Sequence, residues 1–254
     1  MTPVELQKAS SWKRIAAWVL DLMLLAVLAV GGTFLFSTLL GYDGYEQQLN
    51  QAYASYESQY GITFDIAKET YSAMTEAEKA NYNAAYEALI ADEEAMYAYN
   101  MVVNLSLLVT TLGILLSVLV LEFIVPLILK NGQTVGKKCF SLGVVRNDGV
   151  KVNPLQLFAR AILGKYTIET MIPVYIILML FWGTMDITGT LLLAALLIAQ
   201  VICYAVTQNR AVIHDLLVGT VVVDIASQKV FESTEDLIAY TKRIHAEQAK
   251  RQEY

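Results

Sequence analysis

Four stretches of the chain are apolar for long enough to cross a bilayer: residues 12–40, 101–129, 166–182 and 190–207. In a helix rising about 1.5 Å per residue, roughly 20 such residues cover a hydrocarbon core of about 30 Å. The first stretch carries two charges. Arg14 stands at its start, where a long side chain reaches the headgroups, and Asp21 lies seven residues deeper. Seven residues are almost two turns, so Arg14, Trp18 and Asp21 share a face. A carboxylate at that depth costs about 3 kcal/mol on insertion scales, so Asp21 is expected to look inward, toward a partner or a water-filled cavity.

The second stretch carries Glu122, two turns from a basic end at Lys130, together with Pro126. Glu122 either reaches headgroup water or pairs with an arginine or a bound cation. Asn153-Pro154 opens a helix whose apolar side, Leu155, Phe158, Ala159 and Ile162, faces away from Gln156, Arg160 and Lys165. That pattern describes a helix lying in the membrane interface before the chain turns into the third span. Lys165 and Glu169, four apart, are placed to pair locally.

Polar segments separate the spans. Residues 42–100 form an insert rich in Tyr, Ala and Glu, with eleven acids against Lys68 and Lys79. Tyr45, Leu49, Ala52, Tyr56 and Tyr60 recur at helical spacing up to Gly61. A second helix starts at the capping box Thr75-x-x-Glu78 and can run on into the second span. A helical hairpin outside the cell is therefore expected, either a solvated link or, through its tyrosines, a docking face for another protein. Residues 139–152 have strand character around a turn at Asn147-Asp148-Gly149, a β-hairpin signal. Lys137, Lys138, Arg146 and Lys151 make this loop positive, which places it in the cytoplasm, within reach of anionic lipid. The segment from 226 to 254 is charged and is expected to be a soluble cytoplasmic helix.

Composition agrees with a membrane protein: 56% of residues are hydrophobic and the mean hydropathy is +0.47. The net charge of −6 reflects mainly the acidic insert. Cys139 and Cys203 suit free thiols, and no Cys/His cluster suggests a metal. Gly132-Gln-Thr-Val-Gly136-Lys137-Lys138 fails the nucleotide-loop pattern, with three residues between its glycines and a second Lys where Ser or Thr is needed. His214 and Asp215 are adjacent, so on a helix they point about 100° apart, and no nucleophile accompanies them. No enzymatic activity, cofactor or nucleic-acid partner is expected.

Four motifs taken together resemble the RDD family of small membrane proteins: Arg14-Ile-Ala-Ala-Trp-Val-Leu-Asp21, the Gly132–Lys138 loop with Leu142-Gly-Val-Val-Arg-Asn-Asp-Gly149, Arg160, and His214-Asp215-Leu-Leu-Val-Gly-Thr-Val-Val-Val223. The resemblance covers residues 10–225, with the insert at 42–100 longer than the usual outer loop. It implies an all-α membrane protein of about four transmembrane helices, with a cytoplasmic β-hairpin and interfacial helix, in the cell membrane with both termini in the cytoplasm. Some family members are associated with cation/proton exchange and others with regulating membrane partners. Two functions are therefore open: transport of a small monovalent cation coupled to protons through Asp21 with Glu122 or Asp215, whose carboxyl pKa burial would raise, or an accessory role exerted through the insert or the basic loop. The ionisable set is Arg14, Asp21, Glu122, Arg160 and Asp215. Four helices alone enclose little, so transport implies a homo-oligomer or another membrane protein as partner.

Overall fold

The computed structural model describes residues 6–181 and 183–252. The first five residues of the amino-terminal lead, Trp182 at the expected end of the third span, and Glu253 and Tyr254 of the tail lie outside the described residues. Among the described residues four helices are long and apolar enough to span a membrane: α1 Ser11–Leu40, a helix Glu93–Leu129, a helix Pro154–Phe181, and Ile187–Val206. Their surfaces match that solvent. Val30 and Phe34 on α1 are each 73% exposed, a disposition that water would penalise and acyl chains would not.

The chain divides into two compact units, one comprising Val30–Gly113 and the other the residues on either side. In the first of these, α2 Tyr42–Tyr60, α3 Lys68–Ala73 and α4 Glu76–Ala91 form the insert, and α2 packs against α4. The expected stops and starts hold. Gly61 ends α2 in the left-handed conformation, and Thr75 and Glu78 form a reciprocal capping box. The tyrosines pack largely on one another: Phe64 stands edge-on to Tyr53 and Tyr82, and Tyr82 to Tyr71, with centroids 5.3–5.8 Å apart. The second helix does not run on into the span. Asp92 takes an extended conformation and its carboxylate accepts from the amides of Glu94 and Ala95, opening α5, Glu93–Leu129.

In the other unit, α6 Val135–Cys139 leads into strand β1 Leu142–Arg146. The turn at 147–149 forms, with Arg146 N–H donating to the Val150 carbonyl, but the local hairpin is reduced to one bridge, Val145 to Lys151. Along its length β1 pairs antiparallel with β2 Thr220–Asp224, from Leu142 opposite Asp224 to Arg146 opposite Thr220. A two-stranded ribbon is marginal by itself. This one is buried on both faces: Leu142, Val144 and Val222 pack with Ala9 and Ala17, while Val145, Val221 and Val223 pack with Leu6 and Val230. That burial outweighs the local register the Asp-Gly turn would impose.

The helix after Asn153, α7 Pro154–Phe181, begins with a capping box between Asn153 and Gln156 and continues unbroken into the third span. No turn separates a surface helix from that span. Instead the helix widens into a π-helical stretch at Arg160–Met171, and α5 does likewise at Leu119–Ile124. After α8 Ile187–Val206, the short α9 Ile213–Val218 leads to β2, and α10 Thr234–Gln252 closes the description.

Candidate functional site

The widened turns carry the buried charges. Bonds closing five residues apart bring Arg160, Lys165 and Glu169, spaced five and four, onto one side of α7, and Glu122 lies in the widened turn of α5. Arg160 is the hub. It is 2% exposed, its Nε donates to Asp215 Oδ1 at 2.9 Å, and its Nη1 lies 3.8 Å from Glu122 Oε2. Its Nη2 is 2.8 Å from His214 Nε2. A guanidinium only donates, so Nε2 accepts and the imidazole proton sits on Nδ1. From there it is donated to Glu169, whose oxygens are 2.7 and 2.8 Å away. Adjacent His214 and Asp215 thus converge on one side chain, which their separation around a helix did not suggest.

The remaining partners are distant in sequence. Lys165 pairs with Glu122 and not with Glu169 four residues on, because the deeper carboxylate otherwise has only a long contact to Arg160. Glu169 also accepts from Gln200 Nε2 at 2.6 Å. Thr220 Oγ1 donates to Asp215 at 2.9 Å, and Arg14 Nη2 lies 3.9 Å from it. Asp215 Oδ2 and Glu122 Oε2 have no hydrogen-bond partner among the described residues.

Asp21 is held elsewhere, by the loop that fails as a nucleotide cradle. It accepts from Thr134 Oγ1 at 2.5 Å and from the Gly136 amide at 2.8 Å, and Lys137 Nζ is 3.6 Å away. Glycine is needed at 136 because a Cβ there would run into the Ala17 carbonyl and stand 2.9 Å from the Asp21 carboxyl. Gly164 serves the same end on α7, where a Cβ would meet the backbone and side chain of His214.

Most charges of the basic loop have partners within the protein. Lys137 is buried against Asp21 and Thr134, Arg146 pairs with Asp148 at 2.7 Å, and Lys151 pairs with Glu232. Lys138 is exposed. Each of the first three charges has a carboxylate beside it, and Lys137 is buried.

Burial pushes the Lys137 ammonium, which also faces Lys165, down to about 8, against the opposing pull of Glu122 and Asp21. Burial and the neighbouring Arg160 hold the His214 pKa below its usual value, although Asp215 and Glu169 oppose the shift. Burial alone would raise the Asp215 carboxyl, but Arg160, His214 and Arg14 together draw it below the ordinary range. The raised value that proton carriage by Asp215 requires is therefore not found.

Beside the network lies a cleft of about 550 Å³, lined by Arg14, Trp18 and Asp21 of α1, Leu197, Gln200 and Tyr204 of α8, Glu169, and the His214–Asp215 pair. The shared face of Arg14, Trp18 and Asp21 turns toward this cleft. Gln200, Thr134 and the Gly136 amide were not among the residues expected to matter; Lys137 was expected at lipid, Lys165 and Glu169 as a local pair, and His214 only as part of a motif. A glutamine inside an apolar span and two glycines in a charged loop are the signals that could have found them.

Four membrane-length helices and a buried network of opposed charges define a multi-pass membrane protein organised around buried ion pairs. The RDD family model matches residues 8–219, and the chain belongs to that family. No curated protein and no solved structure matches it.

Proposed function

We propose that the protein exchanges a proton for a small monovalent cation across the membrane, with Glu169 and His214 as the exchanging pair. The observation that carries this reading is the hydrogen bond from His214 Nδ1 to Glu169 at the edge of the cleft. Of the groups there, the imidazole is the one whose ordinary titration falls near neutral pH. A second proton goes to Nε2, which then has to part from Arg160 Nη2, and the imidazolium so formed balances the charge of Glu169. Neutral, the imidazole leaves Glu169 with charge that a cation entering the cleft can balance, so proton and cation compete for one carboxylate. Asp21, Glu122 and Asp215 are matched by Lys137, Lys165 and Arg160 and act as anchors for the helices. No enzymatic step is part of this reading.

The test is reconstitution into liposomes with an imposed pH gradient and a luminal pH dye, followed by addition of Na⁺ or K⁺. The gradient should collapse with wild-type protein and persist with Glu169→Gln or His214→Gln of unchanged melting temperature. Absence of cation-dependent proton movement, or equal movement in Glu169→Gln, refutes the exchange.

The charge distribution supports a cell-membrane location with both termini in the cytoplasm, since Lys130, Lys137, Lys138, Arg146 and Lys151 cluster after the second span while the long insert has two lysines. Cys139 is exposed, so in a Cys203→Ser background an impermeant maleimide should label it in inverted vesicles and not in intact cells. The accessory reading is favoured by one feature, a groove of about 250 Å³ on the insert, lined by Leu49, Tyr53, Tyr86, Leu89, Ile90 and Tyr99 among others. Crosslinking from Tyr86 in cells separates the two readings: an accessory protein captures a different chain, whereas an exchanger that completes its pathway by oligomerising captures copies of itself.

A further inference from the structure

We infer that the cleft between α1 and α8 binds one anionic phospholipid, its phosphate held by Arg14 and Arg210 and an acyl chain lying against Trp18 and Leu197. Two walls of the cleft belong to the membrane-spanning helices α1 and α8, where Trp18 and Leu197 are 59% and 68% exposed, and its floor is formed partly by Lys137, Val212 and the His214–Asp215 pair outside the spans. Such a wall faces hydrocarbon, and a chain of CH₂ groups is what fills it.

Arg14 lines its mouth, and Arg210, just outside the lining, is joined to it through Ser11. Arg14 Nη1 donates to the backbone carbonyl of Arg210 at 2.7 Å, and Arg210 Nη1 donates to Ser11 Oγ at 3.0 Å. Ser11 in turn shares a hydrogen bond with the Tyr204 hydroxyl at 2.7 Å, and the Arg14 guanidinium lies over the Tyr204 ring at 5.1 Å. Two guanidinium groups are therefore gathered at the start of a span, the depth of the headgroups.

The mouth is only partly neutralised. Among the described residues Arg210 has no carboxylate within ion-pair distance, and Arg14 has one at 3.9 Å, Asp215 Oδ2, whose other oxygen is bonded to Arg160. Of the acids that line the cleft, Asp21 accepts from Thr134 and Gly136 beside Lys137, and Glu169 accepts from His214 and Gln200. Like charges held side by side repel unless an anion lies between them, and a phosphate offers oxygens to both forks and to the two hydroxyls. A second copy of the chain fits less well, because about 550 Å³ takes little more than one turn of a helix about 10–12 Å across. The mouth residues are not the exchanging pair, so lipid binding is tested separately from exchange, although a cation bound for Glu169 would share this cleft with the lipid.

The experiment uses full-length protein with Trp18 as its single tryptophan, in neutral detergent micelles. It is titrated with phosphatidylglycerol or phosphatidylcholine carrying brominated chains, which quench tryptophan on contact. Half-quenching should need about fivefold less of the anionic lipid, the factor one basic side chain supplies at a lipid surface. Arg210→Gln should erase the preference and Arg210→Lys should retain most of it. Equal quenching by the two lipids, a preference that survives Arg210→Gln, or displacement by glycerol phosphate as effective as by the whole lipid would overturn the inference. So would protection of Trp18 that rises with protein concentration, because a second copy would then fill the cleft.

Discussion

Replacing Gly136 with alanine tests whether the Asp21 cradle holds the loop to α1. The new methyl would run into the Ala17 carbonyl and lie 2.9 Å from both Cγ and Oδ1 of Asp21, so backbone has to move. Overpacking of this kind costs about 1–3 kcal/mol. The same movement lengthens the 2.8 Å bond from the Gly136 amide to Asp21, and a hydrogen bond to a charged group contributes about 1.5–3 kcal/mol. Alanine regains about 0.5–1 kcal/mol of helix preference in α6, too little to change the sign. The net loss is about 3 kcal/mol, or about 6–12 °C of melting temperature for a chain of this size. The assay is thermal unfolding in detergent followed by tryptophan fluorescence, with Thr134→Ser as the control that keeps the hydroxyl. A Gly136→Ala variant melting within about 1 °C of the parent refutes the cradle as a stabilising contact.

Three further outcomes are expected. His214 is buried with its pKa held below normal, so as pH falls the unfolded chain takes up its proton first; stability should be full above about pH 6.5 and decline below it, and His214→Gln should flatten that decline in melting curves. Lys137, at about 8, works in the opposite pH range: between pH 8 and its ordinary value near 10.5 the folded chain has released a proton the unfolded chain keeps, so stability rises with pH there, and Lys137→Met removes the rise. Asp215→Asn leaves the Arg160 guanidinium without its nearest carboxylate and should cost about 3–5 kcal/mol, read as loss of monodisperse protein on size-exclusion chromatography; full yield and unchanged melting would refute the hub.

The features legible in the sequence are those written locally. The spans, the Gly61 stop, the Thr75–Glu78 cap, the helix start at Asn153-Pro154 and the inward face of α1 each depend on residues within two turns of one another. The Asp21 partners lie 113 to 116 positions away, and no periodicity couples them. Lys165 and Glu169 had the spacing of a pair, but each is drawn to a more deeply buried partner, Glu122 and His214. The β-branched run from Thr220 to Val223 is a strand signal; what it could not disclose is that β1 would take it in preference to the segment just across the Asp-Gly turn.

The pairing of Leu142–Arg146 with Thr220–Asp224 has a bearing on how the protein is made. Synthesis delivers the first strand, and with it the glycine-rich loop, well before the second, and the two last spans come in between. During that interval Arg160 has neither His214 nor Asp215 to bond, and Glu122 and Lys165 are its available company. A ribosome halted after α8 would leave all four membrane-length helices in place, yet with their central guanidinium half unmatched. Completion of this protein is thus decided after the last membrane crossing, by the few residues that bring a histidine, an aspartate and a strand back to where the earlier helices have left room for them.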